Sequence, residues 1–228
     1  VILETKDGSN TLHSERYAQT FHSDKGAVTE SKHVFLESSA VAPKLRTGES
    51  QRVLEVGFGT GLNFFLTADV ALNHQATLRY VALEQTLLSV GVVQQLGYEN
   101  YLENKDVLES YLQFRQTLPD EVSDEKYTFE FKTVRLELLV GEATAQTFEI
   151  NGFDAVYQDA FSPDANPELW SEAFFSKLYD ALKPNGKLTT YSVKGDVRRI
   201  LQSVGFKVEK RPGPPGGKRE MLVATKHQ

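Results

Sequence analysis

Glycines at positions 57, 59 and 61, with Glu55 two residues upstream, lie between the run Arg52-Val53-Leu54 and the apolar stretch Leu62-Asn63-Phe64-Phe65-Leu66. A strand, a glycine-rich turn and a helix in that order bring main chain against a nucleotide-like ligand, because glycine accepts φ > 0 and presents no Cβ. A dinucleotide fingerprint needs glycine where Leu62 stands, so the spacing points away from a pyrophosphate ligand. Glu84 closes the next apolar run, Leu78 to Leu83, at the sheet edge where an acid accepts both ribose hydroxyl protons. Gly141-Glu142-Ala143 follows Leu138-Leu139-Val140 at the same edge, where the base of such a ligand is contacted. The other constellation is Tyr157-Gln158-Asp159-Ala160-Phe161-Ser162-Pro163. Here Asp159 orients a polar acceptor first and accepts its proton second, while Phe161 stacks on a planar base and Pro163 stiffens the segment. A turn-capping Asp159 and a core Phe161 are the plain alternatives; their joint placement opposite the glycine loop favours a site.

These residues need a sheet to hold them. Val53–Val56 and Leu78–Glu84 read as strands, Leu62–Leu72 and Thr86–Leu96 as helices, and Val134–Val140 and Asp154–Tyr157 as further strands. Trp170–Leu182 reads as a helix ended by Lys183-Pro184-Asn185-Gly186, then Lys187–Val193 as a strand and Asp196–Val204 as a helix. Phe206–Glu209 and Met221–Ala224 pair across the Pro212–Gly217 loop as a closing antiparallel hairpin. The expectation is an α/β, Rossmann-like fold with a mostly parallel seven-stranded sheet ending in an antiparallel strand. Residues 1–47 read as an N-terminal extension, with a hairpin turn at Asp7-Gly8-Ser9-Asn10 and a helix near Ser31–Leu36. Residues 48–228 read as the main domain, interrupted by a helical insertion at about 98–132 that contains the breaker Pro119-Asp120.

The chain has 228 residues, 40% hydrophobic and 25% charged, with no cysteine. That composition excludes disulfides, thiolate zinc sites and a cysteine nucleophile, and none of the five histidines has metal-ligand spacing. No long apolar run or signal peptide is evident, so a cytoplasmic protein without membrane contact is expected, with at least one residue preceding Val1. The net charge of −6 hides an asymmetry. From Lys183 onward eleven Lys/Arg face three acids, whereas residues 1–182 carry fourteen Lys/Arg and twenty-eight acids. Lys194, Arg198, Arg199, Lys218 and Arg219 form a basic C-terminal region suited to a phosphate backbone, or simply a solvated face.

Glycines at 57, 59 and 61 after an acid resemble the first motif of S-adenosylmethionine (SAM) methyltransferases. His22-Ser23-Asp24-Lys25-Gly26-Ala27, Glu30-Ser31-Lys32-His33-Val34-Phe35, Gly57–Phe64, Asp159–Pro163 through Asn166-Pro167-Glu168-Leu169-Trp170, Val197-Arg198-Arg199 and Lys218-Arg219-Glu220-Met221-Leu222 occur in that order. Together they resemble the methyltransferase part of the MnmC family over most of the chain. The resemblance implies methyl transfer from SAM to the amine of 5-aminomethyl-2-thiouridine at the tRNA wobble position, giving the 5-methylaminomethyl product. It implies SAM contacts at Gly57, Gly59, Gly61 and Glu84, with Asp159 as the active-site acid; Glu55, Asn63, Glu142 and Ala143 are expected to join the SAM-binding set. Phe161, Pro163, Lys194, Arg198, Arg199, Lys218 and Arg219 would then meet the substrate tRNA. Bifunctional members also carry an FAD-dependent oxidase domain; no second glycine fingerprint occurs here, so a stand-alone methyltransferase is expected, without FAD or metal, whose amine comes from a separate enzyme. Ala160 and Ser162 replace the glycine and alanine common in bifunctional members. Aminopropyltransferases of polyamine synthesis share the glycine loop and both acids, but expect further acids around a diamine. A small-molecule amine methyltransferase and an RNA-binding accessory with a vestigial SAM pocket are the remaining readings.

Overall fold

The computed structural model describes residues 1–119 and 125–227. The chain opens with a small antiparallel sheet of β1 (Ile2–Glu4), β2 (Asn10–Ser14) and β3 (Gln19–Thr20), turning at Asp7-Gly8 as the sequence predicts. α1 (Ala27–Glu30) continues into a π-helical stretch, Ser31–Glu37, with Ser38 N–H bonded to His33 O five residues back. α2 (Val41–Arg46) leads into the main sheet.

The main sheet begins with β4 (Gln51–Val56), α3 (Leu62–Asn73), β5 (Leu78–Glu84), α4 (Val90–Gln95) and α5 (Asp106–Thr117). It continues with β6 (Lys126–Phe131), β7 (Val134–Val140), β8 (Phe153–Gln158), α6 (Glu172–Ala181), β9 (Leu182–Thr190), α7 (Gly195–Val204), β10 (Lys207–Pro212) and β11 (Glu220–Thr225). The strand order is β10-β11-β9-β8-β4-β5-β7-β6, with the five central strands β9, β8, β4, β5 and β7 parallel. Those strands are apolar on both faces because helices cover both. Val53 and Tyr80 pack with Phe64, Phe65 and Leu45 on one side; Leu54 and Val81 pack with Phe175, Leu178 and Leu201 on the other. Val34, Phe35 and Val41 join the first cluster, so the N-terminal extension shares the core of the main domain.

Three expectations change. The sheet has eight strands, because residues 126–131 of the expected helical insertion pair antiparallel with β7 as an edge strand. Tyr127, Phe129 and Phe131 recur every second residue and pack on the core, a strand period within a segment otherwise rich in helix formers. The insertion's helical part survives as α5, and residues 120–124, including the expected break after Pro119, lie outside the described residues. The helix expected from Thr86 starts at Val90, since the Glu84 carboxylate accepts the N–H groups of Gln85 and Thr86 and holds them in a turn. Finally, β9 starts at Leu182 and bulges through Pro184-Asn185-Gly186 before pairing resumes at Lys187.

Candidate active site

β4 lies between β5 and β8, where successive connections leave the sheet in opposite directions, and the carboxyl ends of β4 and β8 open a crevice there. Val56 pairs with Gln158, so Gly57 and Asp159 leave the sheet side by side. Gly57 has φ 89°, and a Cβ there would sit 2.9 Å from the carbonyl oxygen of Asp159; no other residue fits. Gly59 N–H donates to Glu84 Oε2 at 2.8 Å, which ties the glycine loop to the end of β5.

These strand ends bound a cavity of about 570 Å³, a size typical of small-molecule sites. Gly57, Gly59, Glu84, Glu142 and Ala143 line it from the strand ends. Tyr17, Phe21, Glu30, Phe161, Tyr191 and Lys218 line it from the N-terminal segment, the 160–162 lip and the C-terminal loop. Asp159 joins the two sets, adjoining Gly57 on one side and leading into the lip on the other.

The electrostatics favour a cationic occupant. Asp159 Oδ2 accepts from Asn63 Nδ2 at 2.8 Å, and the same nitrogen donates to Glu55 Oε1 at 2.8 Å. Glu55 is 1% exposed, and among the described residues its Oε2 has no partner, nor have the nearby Tyr80 and Tyr157 hydroxyls. Burial pushes Glu55 up to about 8; the charge of Glu84 adds to the rise, against the hydrogen bond from Asn63. Burial also raises Asp159 well above the carboxylate range, followed by the charges of Glu55 and Glu30, against Asn63 and Lys218. Among the described lining residues Lys218 is the one Lys or Arg, and the strand-end set has none. A phosphate-bearing ligand would find repulsion there, whereas a sulfonium or ammonium would find acids.

The lip is fixed from several directions. Tyr191 Oη donates to Ala160 O and Trp170 Nε1 to Phe161 O, both at 2.8 Å. Gln19 Nε2 donates to Ser162 Oγ at 2.8 Å, and Ser162 N–H donates to Gln19 Oε1 at 3.2 Å. Phe161 stacks on Tyr17 with ring centroids 4.3 Å apart and meets Phe21 edge-on at 5.1 Å. Sequence reasoning missed Tyr17, Gln19, Phe21, Glu30 and Tyr191 as site residues. The family-like stretch containing Glu30 is a usable signal, but Tyr17 and Gln19 act through a long-range contact that local spacing does not encode.

Eight of the sequence-predicted residues line the cavity: Gly57, Gly59, Glu84, Glu142, Ala143, Asp159, Phe161 and Lys218. Glu55 and Asn63 lie behind Asp159 rather than in the lining. Gly61 serves packing, since a Cβ would sit 2.9 Å from Phe65 and 3.0 Å from Phe58. Pro163 follows the lip outside the lining, and Glu142 accepts from Thr144 N–H at 3.1 Å, capping the turn after β7. Lys194 pairs with Asp164 and Arg199 with Asp196, both away from the cavity. Arg198 is partly buried with no partner for its Nε among the described residues, and Arg219 is exposed beside Lys218. The described residues hold no cluster of metal-ligating side chains and no helix long and apolar enough to cross a membrane.

A family model described as S-adenosyl-L-methionine-dependent methyltransferase matches residues 105–227. The chain belongs to the MnmC-like SAM-dependent methyltransferases. It is 32% identical over 216 residues to the tRNA 5-methylaminomethyl-2-thiouridine biosynthesis bifunctional protein MnmC of Leptospira borgpetersenii, covering 92% of this chain and 32% of that protein. The MnmC protein of Cupriavidus metallidurans is 33% identical over 94% of this chain and 32% of its own length. The chain thus spans about a third of these relatives. The crystal structure of MNMC2 from Aquifex aeolicus superposes with a TM-score of 0.78 at 29% identity, covering 100% of this chain and 70% of that one. Spermidine synthase from Thermotoga maritima shares the fold, with a TM-score of 0.54 at 18% identity over 99% of this chain and 68% of that one.

Proposed function

We propose that this MnmC-like methyltransferase transfers a methyl group from SAM to the primary amine of 5-aminomethyl-2-thiouridine at the wobble position of tRNA. The carrying observation is the position of Asp159, between a glycine-lined, cation-free set of strand ends and an aromatic lip. The names of the relatives supply the substrate class.

The strand-end residues suit SAM: Glu84 for the ribose, Ala143 and the turn capped by Glu142 for the adenine, and the Gly57–Gly59 backbone along the chain of the donor. When bound, SAM supplies an electrophilic methyl group on a sulfonium. Asp159 then orients the acceptor amine, which is protonated in water and must lose a proton before its lone pair is free. The raised affinity of Asp159 for protons suits it to accept that proton. The ring of Phe161 meets the uracil, and the exposed Lys218 and Arg219 meet RNA phosphates.

The test is to incubate the protein with methyl-labelled SAM and tRNA from cells lacking this activity, then digest and identify the labelled nucleoside. Label in 5-methylaminomethyl-2-thiouridine is expected. Label in another nucleoside, or in a free amine but not in tRNA, would replace this reading with a different acceptor.

A further inference from the structure

The acid Glu30 is unused by the account so far. It ends α1, is 8% exposed, and lines the same cavity as Asp159. Its Oε2 accepts from Ser23 N–H at 2.8 Å, and among the described residues it forms no ion pair. A carboxylate so buried is normally paired with a cation. Asp159 has a similar arrangement, with Oδ2 held by Asn63 and no hydrogen bond to Oδ1 among the described residues. Two acids from separate elements, Glu30 buried and Asp159 half-buried, each have one oxygen tied back to the protein, and they share a cavity whose one described Lys or Arg, the exposed Lys218, sits 4.3 Å over the ring of Tyr191.

We propose that Glu30 is the second carboxylate of the acceptor site, holding the substrate ammonium from the side opposite Asp159 and selecting a cationic amine over a neutral group of the same shape. The proposal rests on the amine-methylation reading above. A primary ammonium has three N–H donors, and two carboxylates fix two of them, which sets the nitrogen's direction as well as its position. The charge also works in reverse: without a cation the two acids repel, and Asp159, Glu30 and the neighbouring Tyr191 are all displaced toward their protonated forms, burial being the largest cause in each. The other ionisable groups facing the pair are Glu55 and Tyr80 behind Asp159, Glu84 at the end of β5, His22 and Asp24 beside Ser23, and Lys218.

Glu30→Gln keeps the size of the side chain and the acceptor for Ser23 N–H while removing the charge. With tRNA carrying 5-aminomethyl-2-thiouridine, kcat/KM is expected to fall about 10- to 100-fold, the effect of one lost charge-assisted hydrogen bond. The affinity for S-adenosylhomocysteine should change by less than about twofold, and Glu30→Asp should recover part of the loss. A purely structural role would lower donor affinity and activity together and leave the shape of the kcat/KM pH profile unchanged, whereas the loss of Glu30 should move its acidic limb to lower pH. Wild-type transfer with unchanged kcat/KM in Glu30→Gln would overturn the role of Glu30 alone. Donor binding with no transfer by the wild-type protein would overturn the reading beneath it and this proposal as well. Should Glu30→Gln fail to fold, wild-type binding decides: in the presence of S-adenosylhomocysteine, 5-aminomethyluridine should bind more tightly than the isosteric, neutral 5-ethyluridine, and equal binding overturns the proposal.

Discussion

Glu55 and Asp159 share one donor, the Nδ2 group of Asn63, and that sharing governs the charge of the site interior. The folded protein holds a proton on Glu55 up to about pH 8, whereas a free glutamate loses it near 4.5. Between those values the folded state binds more protons than the unfolded one, so this group's contribution to stability is present below about pH 4.5 and is lost as pH rises through about 8. Wild-type Tm is therefore expected to fall between about pH 5 and pH 8, and Glu55→Gln should flatten that fall; parallel Tm profiles would reject the buried charge. At Gly57, φ 89° and the 2.9 Å approach to Asp159 O predict that Gly57→Ala displaces the lip and weakens S-adenosylhomocysteine binding by about tenfold or more, read by calorimetry. Both glycine spacing and Asp159 were legible because each is a local pattern at a strand end. Glu55 lies outside the cavity lining for a physical reason: strand alternation puts it with Val53, against α3, where it accepts from Asn63, and nothing two residues before the loop shows that placement in the sequence.

The N-terminal sheet is the element that completes the cavity, and Asp7 anchors it. Its carboxylate accepts from Ser9 N–H at 3.0 Å and from Thr29 N–H and Oγ1 at 2.9 and 2.7 Å, joining the β1–β2 turn to α1. Burial opposes ionisation, but the Ser9 and Thr29 hydrogen bonds outweigh it and hold Asp7 below the usual range. Asp7→Ala should increase hydrogen exchange in β2 and β3 while β4 stays protected; uniform exchange in all three strands would show that the sheet is held otherwise. The hairpin turn was readable because Asp-Gly is a strong turn signal. Its docking against Phe161 was not, since Tyr17 and Gln19 reach the lip across more than 140 residues of chain. Edge strand β6 was obscured similarly: its alternating aromatics come eight residues (118–125) after the end of α5, a helix with a different period.

For the whole molecule, charge asymmetry survives folding but is locally neutralised. Lys194, Arg199, Lys210 and Arg211 each pair with an acid, whereas Lys187, Arg198, Lys218, Arg219 and Lys226 form no ion pair among the described residues; of these Lys218 lines the cavity, with Arg219 beside it. Lys218→Ala/Arg219→Ala is therefore expected to reduce the salt slope of tRNA binding by about 1.5, whereas Lys194→Ala should change it little. Equal slopes in all three proteins would move the RNA footprint elsewhere. The α/β class and the parallel core were legible because βα alternation is written in every unit. The count of strands and the cover over the site depended on contacts between distant segments.

The central claim places the donor and the acceptor amine on either side of Asp159. Its most direct measurement compares Asp159→Asn with wild type for S-adenosylhomocysteine affinity and for single-turnover methyl transfer to tRNA carrying 5-aminomethyl-2-thiouridine. Affinity unchanged within about twofold, with transfer slowed by about 100-fold or more, is the predicted result. Near-wild-type transfer would contradict it.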